Sequence, residues 1–215
     1  MPSPERDAVS SGNLRFLAVH QPPSDGLVQL PGVPVELRHI RAAIRASPSA
    51  RIALVESSVG TVDEVLSLMK DVDWVHFACH GIQDTRDPTR SGLCLAEGRR
   101  LQLSDIIALS RSRGGLAFLS ACQTASGDED LCDEAIHIAA GMLFAGYGGV
   151  VGTMWSISDK LAPRVAKDVY EQLFYRETRP DYRDAARALQ DAVGRLRSSS
   201  DASFVDWVPF IHVGI

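Results

Sequence analysis

The chain has 215 residues, of which 45% are hydrophobic and 23% charged, and 22 basic against 27 acidic side chains give a formal net charge of -5. These values are typical of one globular domain with a sizeable core, and the lack of a long basic run argues against nucleic acid as a partner. No apolar stretch approaches the roughly 18 residues of a membrane span, and the polar first residues lack the apolar core of a secretion signal. We therefore expect a cytoplasmic protein with no membrane partner.

Apolar strands alternate with helical patterns along the first half of the chain. Residues 14–20 and 51–57 are predicted strands, and a helix is predicted over 33–46 between them. Thr61 precedes a second helical pattern, and residues 73–79 form the next apolar strand. Residues 1–12 are polar and are expected to be flexible, so that residues 13–215 form the domain.

The middle of the chain adds a hairpin and a central strand. The pair Glu97 and Gly98 separates two short alternating runs, which predicts a small accessory β-hairpin outside the main sheet. Ser104 is expected to cap a short helix over 105–109. Residues 114–121 are continuously apolar, as expected for a central strand that helices cover on both faces.

Helical and strand patterns continue to the end of the chain. A helix is predicted from Glu134 to Gly146 or Gly148, then a strand over 148–158, and further helices over 161–175 and 182–196. Pro209 places a final strand at an edge of the sheet. The alternation predicts an α/β sandwich of three layers around a mostly parallel sheet.

Two apolar strands lead to a histidine and to a cysteine. His80 follows the run 73–79 and Cys122 follows 114–121, so both are expected at the carboxyl ends of parallel strands, where reactive groups share a crevice. A thiol beside an imidazole can attack a carbonyl carbon. Cysteine is also among the most buried residue types, and spacing alone leaves both readings open.

The other cysteines, and His76, have simpler interpretations. Strand alternation places Cys79 on the opposite face from His76 and His80, with no further ligands evident, so no metal site is predicted. Without a secretion signal the thiols are expected to be free. They are Cys79, Cys94, Cys122 and Cys132.

Several ordered motifs resemble those of CHAT domains, caspase-like modules associated with tetratricopeptide repeats. They are "VHFACHG", "SGLCLAEG", "FLSACQTASG", "AAGMLFAGYGGVVGTMWSISD" and "WVPFIHVG". The resemblance runs from about residue 30 to residue 215. It implies the caspase-hemoglobinase sandwich of the clan that includes caspases and separase.

The resemblance also implies the roles of individual residues. The catalytic histidine of the family falls on His80 and its nucleophile on Cys122, and Gly81 matches the glycine whose N–H, with that of Cys122, forms the oxyanion hole. The implied activity is that of a cysteine endopeptidase acting on a protein or peptide, with no cofactor. A tetratricopeptide-type repeat domain, in cis or in trans, is the implied regulatory partner.

Two positions bear on the substrate. Ser120 stands where caspases carry a glutamine that helps bind aspartate, so aspartate specificity is not implied. The segment "MWSISD" resembles a separase-like segment that ends in an acid and lines the S1 pocket, which makes Asp159 a candidate ligand for a basic P1 side chain. Asp159 is equally interpretable as the cap of the helix that follows it.

Polar and acidic segments bear on regulation, and the sequence also allows an alternative function. The polar segments 83–92 and 124–131 are candidates for loops that settle before catalysis. The acidic run 127–134 lacks the spacing of an EF-hand, so calcium regulation has no support in the sequence beyond the acidity of this run. The alternative function is a non-catalytic CHAT interaction or signalling module, which predicts that Cys122 and His80 are replaceable.

Overall fold

The structure is a computed structural model, and it describes part of the chain. The described residues are 12–20, 29–48, 51–57, 61–82, 84, 86–110, 114–123 and 134–214, with the backbone alone at 97, 121–123 and 134–137. The segment predicted to be flexible lies outside them except for Gly12. The acidic run 127–134 lies outside them except for the backbone of Glu134.

Eight strands of the described chain form one sheet. Its main path runs in the order β2-β1-β3-β6-β7-β8, and β4 and β5 form a hairpin at the end of β3. All neighbours along the main path are parallel except β7 and β8. The strands are β1 (Leu14–His20), β2 (Ile52–Ser57), β3 (Trp74–Ile82), β4 (Gly92–Cys94), β5 (Arg100–Gln102), β6 (Leu116–Gln123), β7 (Gly149–Thr153) and β8 (Phe210–Gly214).

Helices cover both faces of this sheet. One face packs against α1, α5 and α6 through a core that includes Phe16, Trp74 and Tyr170. The other face packs against α2, α3 and α4. The helices are α1 (Gly32–Ala46), α2 (Val62–Asp71), α3 (Leu103–Ile107), α4 (Glu134–Phe144), α5 (Ala162–Phe174), α6 (Ala185–Arg197) and α7 (Phe204–Trp207). The predicted three-layer α/β sandwich with a mostly parallel sheet is confirmed.

The alternation of side chains along β3 decides which residues can reach the candidate site. Trp74 and Ala78 pack on the face covered by α1 and α5, whereas Val75, Phe77 and Cys79 pack on the opposite face. Successive strand residues point to opposite faces, so His76 and His80 share the face of α1 and α5. Cys79 is fully buried on the far side of the sheet, as predicted.

The ends of several elements differ from the sequence predictions. The strand predicted over 148–158 is shorter, since β7 ends at Thr153, and the helix predicted from 182 begins with a 3-10 turn before α6. The helix predicted over 105–109 begins at Leu103, because Gln102 rather than Ser104 caps it, in a capping box with Asp105. The hairpin is not separate from the sheet, since β4 pairs with the end of β3. That pairing extends β3 beyond His80 to Ile82. Thr61 caps α2 as its sequence position indicates, accepting a hydrogen bond from the N–H of Glu64.

No helix among the described residues has both the length and the apolar character needed to cross a lipid bilayer.

Candidate active site

His80 and Cys122 are directly opposite one another on neighbouring strands. The register of the parallel pair β3 and β6 joins His80 to Cys122 and Gly81 to Gln123. Adjacent strands lie about 4.8 Å apart, so the backbones of the two predicted catalytic residues are immediate neighbours. The two residues are 42 positions apart in the chain, and the hairpin of β4 and β5 and the helix α3 lie between them.

The environments of these two residues are described to different extents. The imidazole of His80 is buried, with 1% of its residue surface exposed, on the face of the sheet that α1 and α5 cover. Gly81 is buried as well, and its backbone pairs with Leu93 of the hairpin. The side chain of Cys122 and the predicted loop 124–131 lie outside the described part of the chain.

Asp159 caps a helix, although not the helix predicted. Its carboxylate Oδ2 accepts a hydrogen bond of 2.5 Å from the N–H of Gly32, the first residue of α1. Pro31 precedes that residue and supplies no side-chain cap of its own. A Cβ atom at Gly32 would collide with the carboxylate and carbonyl oxygens of Asp159, so glycine is required at this contact.

Ser120 contacts a carboxyl group that the sequence analysis missed. Its Oγ donates a hydrogen bond of 3.0 Å to Oε2 of Glu36, a residue of α1 with 2% of its surface exposed. Ser120 is itself buried, two residues before Cys122 on β6. Because burial disfavours the charged form, a carboxyl group here needs partners close to it.

The buried polar cluster of Glu36, Ser120, His76 and Tyr170 extends away from the strand ends into the core. Oε1 of Glu36 lies 3.4 Å from Nε2 of His76, and Nδ1 of His76 lies 3.0 Å from the hydroxyl of Tyr170. Neither Oε1 of Glu36 nor Nε2 of His76 has a hydrogen-bond partner among the residues that the structure describes. The cluster thus joins α1, both central strands and α5 through polar groups that water does not reach.

Burial sets the protonation of this cluster. It raises the pKa of Glu36 from 4.5 to about 8, an effect that the hydrogen bond from Ser120 opposes and the nearby charge of Asp159 reinforces. Burial lowers the pKa of His76 from 6.5 to about 3. It raises the pKa of Tyr170 well above 10, with a further contribution from Glu36. At neutral pH, Glu36, His76 and Tyr170 are therefore mainly uncharged.

The position of Glu36 in α1 could have been found in the sequence. The buried positions of α1 include Val33, Glu36, Leu37, Ile40 and Ala43, which recur at helical spacing. Val35, an apolar residue of the same helix, is only half-buried. A glutamate within such a stripe is an informative exception, because glutamate is almost never fully buried without a partner.

The predicted regulatory segment 83–92 is partly described. The backbone N–H groups of Arg86 and Asp87 both bond to the carboxylate of Asp84, which lowers the pKa of that carboxyl. The hydroxyl of Ser91 accepts a hydrogen bond from the N–H of Asp84 and closes the turn. This turn leads directly into β4, the strand that pairs with Gly81 and Ile82.

Comparison with known proteins places these features in a family. The CHAT domain family model matches residues 2–215. No match was found among curated protein sequences.

Solved structures share the fold at low sequence identity. A secreted C11 cysteine protease from Bacteroides thetaiotaomicron, solved with an irreversible peptide inhibitor, is similar with a TM-score of 0.58 and 13% identity. The similarity covers 91% of this chain and 63% of that protease.

The separase–securin complex of Saccharomyces cerevisiae is similar with a TM-score of 0.55 and 14% identity over 94% of this chain and 12% of the matched chain. The chain thus spans less than two thirds of either protein. These likenesses confirm a caspase-like protease fold, and the family match shows more: the chain belongs to the CHAT family.

Proposed function

We propose that this chain is a cysteine endopeptidase that uses Cys122 as nucleophile and His80 as its acid–base partner. In the acylation step, His80 takes the thiol proton of Cys122 as Sγ forms a bond to the scissile carbonyl carbon, and the π electrons of the carbonyl group move onto its oxygen. The carbon–nitrogen bond then breaks, and His80 gives the departing amine its proton. Water, activated by His80, hydrolyses the thioester and returns the thiol.

The observation that carries this proposal is the register of the central strands. This chemistry needs a histidine and a cysteine. The backbones of His80 and Cys122 are paired near the carboxyl ends of adjacent parallel strands. Such ends are where α/β sheets collect their functional groups. Membership of the CHAT family and the cysteine-protease neighbours agree with the same reading.

The proposal includes a source of oxyanion stabilisation. The N–H groups of Gly81 and Cys122 would hold the negative oxygen of the tetrahedral intermediate, where fixed donors about 3 Å away are most effective. Glycine at position 81 allows close approach of a substrate because it carries no Cβ atom.

We further propose that the substrate carries a basic P1 side chain. Asp159 is half-buried on the loop that follows β7, and its charge acts on Glu36 beneath Ser120. The carboxylate of Asp159 and the hydroxyl of Ser120 are both hydrogen-bond acceptors that could bind the ammonium of lysine or the guanidinium of arginine. Regulation by a tetratricopeptide-type repeat domain and action in the cytoplasm belong to the same proposal.

The test is cleavage of a fluorogenic peptide library that varies P1, by wild type and by Cys122→Ala, with and without calcium. Cys79→Ala is the matched control, because it removes a thiol next to His80 that packs on the opposite face of the sheet. We expect cleavage after Arg and Lys that disappears only in Cys122→Ala. Cleavage after Asp would contradict the basic S1 pocket.

If wild type cleaves no peptide, a second measurement is needed to distinguish a peptidase from a non-catalytic interaction module. If no peptide is cleaved and Cys122 also reacts with iodoacetamide no faster than a buried thiol, the non-catalytic interaction module is favoured. If Cys122 reacts rapidly, addition of a repeat-domain partner is the next condition to assay, and cleavage in its presence supports the regulated peptidase.

A further inference from the structure

Glu36 is a buried acid whose surroundings do not account for its presence. With 2% of its surface exposed, it accepts a hydrogen bond from Ser120 at Oε2, and Oε1 has no hydrogen-bond partner among the described residues. The groups that act on it within the described chain are Ser120, His76, Asp159 and Tyr170, and no lysine or arginine is among them. An acid in such a place costs stability that a neutral side chain of the same shape would not.

A second acid, Asp159, lies near Glu36. The carboxylate of Asp159 accepts a hydrogen bond from the N–H of Gly32, which lies one helical turn before Glu36 on α1. Its charge also contributes to the raised pKa of Glu36. Ionisation of two neighbouring carboxyl groups is unfavourable unless a cation lies between them. A guanidinium or ammonium group is the kind of ligand that would let both ionise.

Ser120 connects the buried acid to the strand of the nucleophile. Its hydroxyl donates a hydrogen bond to Glu36, and its backbone lies two residues before Cys122 on β6. Glu36 is therefore within one hydrogen bond of the strand that carries the proposed nucleophile.

We infer that Glu36, acting through Ser120 and alongside Asp159, sets the preference of the S1 pocket for a cationic P1 side chain over a neutral one of the same size. This inference rests on the proposed function and names a specificity-determining residue of the same site. Because it acts through Ser120, Glu36 is a positioning residue rather than a catalytic one. Of the two acids, Asp159 is half-buried and Glu36 is buried.

The first experiment measures selectivity rather than activity. The ratio of kcat/KM for a peptide with arginine at P1 to that for the same peptide with norleucine is compared between wild type and Glu36→Gln, which keeps the shape and removes the acid. At about pH 9, where Glu36 is ionised, we expect the ratio to fall about tenfold, since one nearby charge shifts such equilibria by a factor of 10 or more. Glu171→Gln, an exposed glutamate on α5, is the control and should leave the ratio unchanged.

The same ratio should depend on pH in wild type alone. Of the titratable groups that face Glu36, His76 and Tyr170 stay neutral from about pH 6.5 to about pH 9, whereas Glu36 ionises in that range. Asp159 faces it from the loop after β7. The arginine-to-norleucine ratio should therefore rise with pH in wild type, and this rise should be absent in Glu36→Gln; a structural role for Glu36 alone would not produce this difference.

A binding measurement separates failure of this inference from failure of the proposed function. Calorimetry in the Cys122→Ala background compares n-butylguanidinium with its neutral isostere n-butylurea, with and without Glu36→Gln. If wild type cleaves no peptide, tighter binding of the cation that requires Glu36 supports the role of Glu36 in specificity, whatever the outcome for the peptidase.

Two results would overturn the inference. One is an active wild type whose selectivity ratio is the same in Glu36→Gln. The other is an inactive wild type with equal or absent binding of both probes. Ser120→Ala, which breaks the link to β6 while leaving Glu36 in place, supplies the same comparison if Glu36→Gln does not fold.

Discussion

The carboxylate of Asp159 accepts a hydrogen bond from the N–H of Gly32, 127 positions earlier in the chain. This bond attaches the loop that follows β7 to the N-terminus of α1. The first N–H groups of a helix lack partners within it and carry its positive dipole end, so an acid is well suited to this contact. The candidate S1 acid is thereby held in a fixed position.

Substitutions at Asp159 should separate its cap from its charge. Asp159→Ala removes the acceptor and should lower the free energy of unfolding by about 1 kcal/mol, the usual cost of a lost helix cap. Asp159→Asn keeps an acceptor oxygen and should cost less than half as much. Both variants should lose preference for basic P1 residues, because both lack the charge. Urea unfolding followed by circular dichroism gives the first quantity.

Equal destabilisation by the two variants would show that the charge, not the cap, stabilises α1. Retention of arginine preference in Asp159→Asn would exclude Asp159 from the S1 pocket.

The buried proton of Glu36 should appear in the pH dependence of stability. The pKa of Glu36 is raised from 4.5 to about 8 in the folded state, so the unfolded chain releases its proton first as pH increases. Stability from this group is complete below the unfolded pKa and is lost as pH rises to the folded pKa. The loss is up to about 1.4 kcal/mol per pH unit.

Glu36→Gln lacks this titration, and its gain in stability over wild type should therefore increase from about pH 5 to about pH 8. Subtraction of the two unfolding curves at each pH removes the opposing contribution of His76, whose pKa is lowered from 6.5 to about 3. A stability difference that is constant with pH would mean that Glu36 is ionised in the folded protein.

Removal of the buried hydroxyl of Tyr170 should lower the free energy of unfolding. Tyr170→Phe removes the partner 3.0 Å from Nδ1 of His76 in a fully buried location, which should cost about 1–3 kcal/mol of unfolding free energy. Tyr175→Phe is the control, because Tyr175 is 82% exposed and its loss should change stability by less than about 0.5 kcal/mol. Equal effects of the two substitutions would show that the Tyr170 hydroxyl contributes no net stability.

Local patterns in the sequence predict most of the sheet. The strand Leu14–His20 matches its prediction, and the position of β6 in the centre of the sheet follows from a strand without a polar face. The edge position of β8 follows from Pro209, which precedes it and has no N–H for a ladder. These features depend on residue types close together in sequence.

Features that depend on distant residues were not predictable in the same way. The end of β3 is set by pairing with β4, and the partner of Asp159 is Gly32 rather than the helix beside it. Glu36 was missed because a charged residue is normally assigned to the exposed side of a helix. Its partner Ser120 is 84 positions away, a contact that only the folded chain reveals.

The sequence motifs and the register agree on His80 and Cys122, but their catalytic roles stay a prediction. The most direct measurement is mass spectrometry of the chain after reaction with a peptidyl acyloxymethyl ketone that carries arginine at P1. The account predicts one adduct, on Cys122, which is absent in Cys122→Ala and forms at least about 100-fold more slowly in His80→Ala. Adducts spread over several cysteines, or a rate that is the same without His80, would contradict it.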